Sequence, residues 1–188
     1  ATEYGSSQAK LYEHFTKFGL MEGKQASPVF SVVHYLQNNS SVLSKCGNHY
    51  TAAMLHYYST GRNTKGLKTA PAADLGSKFE ATINHTSANI NIGIASTATN
   101  TDNNAWNVQT VAASDTDAKQ IWVFTRNADG SYTLTNKAYP NAAMDTSGVA
   151  IADATNIATY TNTGVDDEHR HWSFFERTPG NYVISPAH

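Results

Sequence analysis

Two stretches of the chain repeat each other fifty residues apart. Gln120-Ile121-Trp122-Val123-Phe124 matches Arg170-His171-Trp172-Ser173-Phe174. The turn and strand Asp129-Gly130-Ser131-Tyr132-Thr133-Leu134 match Pro179-Gly180-Asn181-Tyr182-Val183-Ile184 at the same spacing. A repeat of that length holds several short strands, and alternation along Trp-x-Phe points both rings to one side, where they act as core anchors. Asp129-Gly130 and Pro179-Gly180 are hairpin turns, each followed by a strand that opens on Tyr. An earlier, more worn copy begins at Phe79-Glu80-Ala81-Thr82-Ile83-Asn84. Trp106 reads as packing or local cover.

Residues 1–71 follow a different rule. Ser7 is placed to cap a helix over about 8–18 with Leu11, Phe15 and Phe18 at helical spacing, and Gly19 suits the position past its end. Ser27-Pro28 reads as a second helix start, with Phe30, Val33 and Leu36 on one face. Asn38 to Ser41 breaks that helix, a short turn ends at Gly47, and Asn48 is placed to cap a last helix stopped by Gly61. Leu11–Gly19 and Ala53–Gly61 match at an offset of 42, with His14 paired to His56. A helical repeat of that size implies stacked units that share a core. The pattern resembles helical repeats of secreted Gram-positive bacterial proteins. His14, His34, His49 and His56 lack the spacing of a zinc site, so a repeated structural role is expected and no metal. Cys46 is the one cysteine, expected as a small packed residue, and it excludes an internal disulfide.

The rest, residues 72–188, carries the strand pattern. Charged residues are only 15% of the chain and the formal net charge is −2, which gives nucleic acid nothing to bind. No apolar run reaches the roughly 18 residues of a membrane span, so no insertion is expected. No leader is visible at Ala1, consistent with a mature or excised chain.

Gln120-Ile121-Trp122, the Asp-Gly-Ser-Tyr turn, the strand ending at Asn136, and Ala143-Met144-Asp145 with Gly148 resemble the ricin-type β-trefoil, whose hallmark is a Gln-x-Trp closing each of three repeats. Arg170-His171-Trp172 is a copy with Arg in the Gln place. The expected architecture is therefore α+β in two parts, a helical repeat region over 1–71 and an all-β trefoil over 72–188. The third repeat stops soon after Tyr182, so a C-terminal segment or a second chain is expected to complete the barrel.

The resemblance implies carbohydrate binding without catalysis or cofactor. In that family an Asp accepts bonds from sugar hydroxyls, a polar residue follows thirteen positions later, an aromatic ring two beyond that, and an Asn or His nine beyond the ring. The second repeat has Asp145, Tyr160 and His169 at those places, with Arg170 next, while Ala158 stands at the polar position. Asn162 and Asp167 are close enough to assist. The competing reading of Asp145 is a turn residue bonding its own backbone. By the same count the first repeat offers Ala95, Val108 and Thr110, and no site is expected there. Galactose-type sugars or plant polysaccharides are the implied partners, on a secreted or cell-surface bacterial protein.

Two alternatives stay open. The chain can be the ancillary module of a larger secreted glycoside hydrolase or peptidase, or an interaction module that has lost sugar binding. No catalytic residue is nominated. The carboxylates are scattered, Asp166-Asp167-Glu168 reads as a wet loop, and no Gly-x-Ser-x-Gly elbow occurs.

Overall fold

In a computed structural model of the chain, residues 7–25, 27–64, 66–85, 87–146, 155–163 and 168–187 are described. They divide into two compact units, one within 1–71 and 175–179, the other within 72–174 and 180–188.

The first unit is helical. Helix α1 (Gln8–His14) starts at Ser7, whose hydroxyl accepts from the Lys10 amide, and runs into a π-helical turn over Phe15–Gly19. The chain leaves this segment at Gly23, which holds the left-handed φ of 71°, four residues beyond the expected stop at Gly19. Ser27-Pro28 does not open a helix. Phe30 bonds back to Ser27 in a turn, and α2 (Val32–Asn38) is capped by Ser31, whose hydroxyl accepts from the His34 amide. Packing decides between the two serines. Phe30 is buried and stacks on Tyr57 at 4.0 Å, and the Ser31 amide is taken by Thr69 O, which fixes the extended backbone that precedes the helix.

Helix α3 (Ser40–Cys46) ends at Gly47 with φ 57°, and α4 (Tyr50–Ser59) starts from His49 rather than Asn48. The core of this unit is Phe30, Val32, Tyr35, Leu36, Val42 and Ala53. His56 is used structurally, with its Nδ1 2.9 Å from the hydroxyl of the fully buried Tyr35. Gly61 lies beneath the same hydroxyl, so closely that an added Cβ would be 2.0 Å from it.

From Lys78 onward the described chain is built mainly of strands. They are β1 (Lys78–Asn84), β2 (Ile90–Ile94), β3 (Val108–Ala112), β4 (Ile121–Arg126), β5 (Tyr132–Asn136), β6 (Ala142–Thr146), β7 (Ile157–Thr161), β8 (Trp172–Thr178) and β9 (Asn181–Pro186). The ladders that link strands β1 through β7, and the pairing of β5 with β8, are antiparallel. β1 pairs β4, β4 pairs β5, β5 pairs β8 and β8 pairs β9, while β2–β3 and β6–β7 form hairpins outside that chain of pairs. This is the strand order of a β-trefoil: two four-stranded repeats and the first strand of a third. The whole is thus helical first and trefoil second, as the sequence pattern implies.

Anchoring follows the repeat of fifty. Trp122, Phe124, Trp172 and Phe174 are at most 4% exposed and belong to one core with Tyr132 and Leu134. Tyr132 buries its hydroxyl too, which accepts from the Leu75 amide and donates to Gly76 O. Its partner in the repeat, Tyr182, is 40% exposed and borders an apolar groove of about 550 Å³ beside Phe79, Ala81, Phe174 and Ile184. Trp106 is buried and stacks on Tyr139 at 4.2 Å.

Replacing Trp172 by Ala should cost about 3–5 kcal/mol, read by denaturant titration, and Trp122→Ala should cost as much. Loss of less than 1 kcal/mol for either would show that the repeat does not anchor the core. In the helical unit, Gly61→Ala should destabilise by about 1–3 kcal/mol through the clash with Tyr35, read by denaturant titration.

Candidate functional site

The two hairpins that flank the core place the site. Trp172 donates its indole N–H to Met144 O at 3.0 Å, and Trp122 donates to Ile92 O at 2.8 Å. Met144 faces Thr159 across β6–β7, as Ile92 faces Thr110 across β2–β3. From these equivalent pairs the register follows. Asp145 and Ala158 correspond to Gly93 and Gln109, and Tyr160 corresponds to Val111.

Counting fixed distances back from Trp122 therefore misplaces the first repeat. Val108 and Thr110 each fall one short of the equivalents because Val111 is one residue nearer to Trp122 than Tyr160 is to Trp172, and Ala95 overshoots Gly93 because the connection between β2 and β3 is longer than the one between β6 and β7. That connection turns at Asn104, a non-glycine residue with φ 50°, and carries the buried Trp106. The positions that correspond still hold Gly93 and Val111, neither of which brings a carboxylate or a ring.

In the second repeat, Asp145 and Ala158 are directly opposed, and Ala143 is opposed to Tyr160. Alternation puts all four on one face of the hairpin, with Asp145 diagonal to Tyr160. The opposite face carries Ala142, Met144 and Thr159 into the interior. Tyr160 is 42% exposed. Asp145 is far less so: its side chain is 15% exposed, and Arg170 Nε donates to its Oδ2 at 3.1 Å. The Arg170 side chain is itself only 7% exposed, and its guanidinium carbon lies 5.8 Å from the centre of the Tyr160 ring.

The structure thus brings Asp145, Tyr160 and Arg170 together. His169 is on the same short 3-10 turn as Arg170 (Glu168–Arg170), half-buried, with its Nδ1 inside. Asn162 follows β7, half-buried, its amide donating to Asn141 O at 2.7 Å. Gly148 and Asp167 lie outside the described residues. Among the described residues no cluster of His, Cys, Asp and Glu could hold a metal, and no helix is long and apolar enough to cross a membrane.

Comparison with known proteins gives structural likeness only. No family model matches, and no curated protein matches by sequence. A designed three-fold symmetric protein, ThreeFoil, is 18% identical with a TM-score of 0.45, over 52% of this chain and 65% of that one. A PSL1a–E64 complex is 18% identical with a TM-score of 0.46, over 59% of this chain and 37% of that one. A Polyporus squamosus lectin, bound to a human-type influenza-binding epitope, is 18% identical with a TM-score of 0.45, over 58% and 36%. The chain spans about two thirds of the first and little more than a third of the other two.

One arrangement nearby is not foreseen by sequence. Asp129, at the β4–β5 turn, accepts from the Ser131 amide and hydroxyl on Oδ1, and its Oδ2 is 3.1 Å from His171 Nδ1. The available signal is the Asp-Gly turn itself, which says nothing about a histidine forty-two residues on. Partial burial pushes the Asp129 carboxyl up, but the bonds from Ser131 and from His171 outweigh it, and its pKa falls below the ordinary 3.8. A depressed carboxyl contributes stability that is present above the unfolded value and is lost as pH falls through the folded one. Asp129→Asn should therefore be less stable than wild type near pH 6, and the gap should close below about pH 4. Urea melts across that range check it; a gap that persists unchanged at pH 2.5 would refute the assignment.

Proposed function

We propose that the second trefoil repeat is a shallow, non-catalytic carbohydrate site. A sugar stacks on Tyr160 and gives its hydroxyls to Asp145, on a protein that attaches to glycans outside a bacterial cell. One observation carries the reading: an exposed tyrosine ring stands diagonal to a carboxylate on the same hairpin face. The ring offers flat apolar area to the C–H side of a pyranose, and a carboxylate is a strong hydroxyl acceptor. His169, Asn162 and Arg170 belong to the wider site. Simple galactosides are the first ligands to try, plant oligosaccharides the second.

Affinity should be near the millimolar end, since one open site buries little of the ligand. Ala158, opposite Asp145, leaves the polar position empty. The same gap favours a second reading, a protein-interaction module that has lost sugar binding. The apolar groove beside Tyr182 favours it too. A catalytic domain elsewhere in a longer protein is compatible with either.

Asp145→Ala is a poor test alone, because it leaves Arg170 buried without its carboxylate and disturbs the fold as well as the site. Tyr160→Ala is cleaner. Titrating galactosides into labelled protein by NMR, Tyr160→Ala should weaken binding at least tenfold and Tyr160→Phe should not. Ala158→Gln should strengthen it by about 1 kcal/mol, the worth of one added hydrogen bond. Val111→Ala, the corresponding position in the first repeat, should change nothing. A glycan array with no bound sugar, or shifts centred on β2–β3, would overturn the reading.

A further inference from the structure

We propose that Arg170 is a positioning residue of this site. It holds the Asp145 carboxylate and the Tyr160 ring in one frame from below, without itself meeting the ligand. The inference rests on the carbohydrate reading and names the residue that sets its geometry.

The two repeats supply the argument, because they solve the same packing problem differently. Gln120 and Arg170 stand at matching places, each on a 3-10 turn two residues before the anchoring Trp. Gln120 is spent on the scaffold. Its Oε1 accepts from the Ser114 amide and from Asn91 Nδ2, both at 2.9 Å, and its Nε2 donates to Ala112 O at 3.1 Å. Asn91 corresponds to Ala143 and Gly93 to Asp145. The first repeat thus has an amide and then no side chain, where the second has a methyl and then a carboxylate.

That exchange redirects the residue on the turn. Ala143 carries no amide where Asn91 does, and Arg170 Nε donates instead to Asp145 Oδ2, the next residue on that face of β6. The same guanidinium lies 5.8 Å from the centre of the Tyr160 ring. A planar, permanently charged fork can hold a carboxylate through an edge N–H and approach a ring at once, which a lysine ammonium cannot do with the same direction. At 7% exposure Arg170 is beneath the surface, whereas Tyr160 is 42% exposed. The ligand meets the ring; the arginine determines where the ring and the carboxylate stand.

Three variants test this: Arg170→Gln, Arg170→Lys, and Arg170→Gln combined with Ala143→Asn. The double change transplants the neutral pair of the first repeat and guards against a misfolded single variant. Each is assayed by thermal melting, by galactoside titration, and by the ¹H and ¹³C shifts of the Tyr160 ring without sugar. The expected result is a folded double variant with at least tenfold weaker binding, Arg170→Lys between it and wild type, and displaced Tyr160 ring signals in both. A double-mutant cycle with Asp145→Asn should be strongly non-additive in affinity. Wild-type affinity in a folded Arg170→Gln or double variant, or an additive cycle, would overturn the proposal. If the wild type binds no sugar, the carbohydrate reading fails by itself. Positioning is then decided by the ring signals: displacement in Arg170→Lys supports it and unchanged signals overturn it.

Discussion

Each of the two four-stranded repeats hangs on one hydrogen bond, from a buried indole N–H to a main-chain carbonyl near thirty residues earlier: Trp122 to Ile92 and Trp172 to Met144. A buried indole has to find an acceptor, and a carbonyl inside a two-stranded hairpin is available only in one register. The bond therefore does more than fill the core. It fixes which residue of β6 lies against the barrel, and alternation then fixes which residues face away. With Met144 turned in, Ala143 and Asp145 must turn out, and Tyr160 and Ala158 join them across the ladder. The place of the candidate site follows from the anchor.

The same dependence decides what could be read without a structure. The Trp-x-Phe pairs at a spacing of fifty announce themselves because core anchors tolerate little change in type or order. Asp145 and Tyr160 could be nominated only because the second repeat keeps the spacing of the family it resembles. The first repeat does not, and a count of residues cannot see the longer connection that carries Asn104 and Trp106. Pairing in the ladder can, since it relates Gly93 to Asp145 whatever the loop length.

Helix starts failed for a related reason. Ser27 and Ser31 are equally good caps by type, and Pro28 favours the first. The choice was made by contacts distant in sequence: Thr69 on the Ser31 amide and Tyr57 on Phe30. Local propensity is worth a kcal/mol or so per residue, and burying an aromatic ring is worth more. The partner of Asp145 was hidden likewise. Arg170 could be seen as a departure from Gln, but nothing in the chain says that its charge returns to a carboxylate twenty-five residues earlier.

That departure is the informative one. Taking two charges out of water costs several kcal/mol each, and a buried ion pair is often no better for stability than a neutral pair of the same shape. The first repeat proves that the fold accepts the neutral solution, since Asn91 and Gln120 close the corresponding corner by amide bonds alone. The charged version in the second repeat is thus not required by the architecture. It occurs beside the exposed ring of Tyr160 and is missing where the ring is replaced by Val111. Three residues differ together, Ala143 for Asn91, Asp145 for Gly93 and Arg170 for Gln120. Ala143 removes the amide that Gln120 meets in the first repeat, and Asp145 supplies a carboxylate that accepts from Arg170 Nε. A concerted change of that kind, on a hairpin face that presents the exposed Tyr160 ring, is accounted for by the proposed site and not by packing alone.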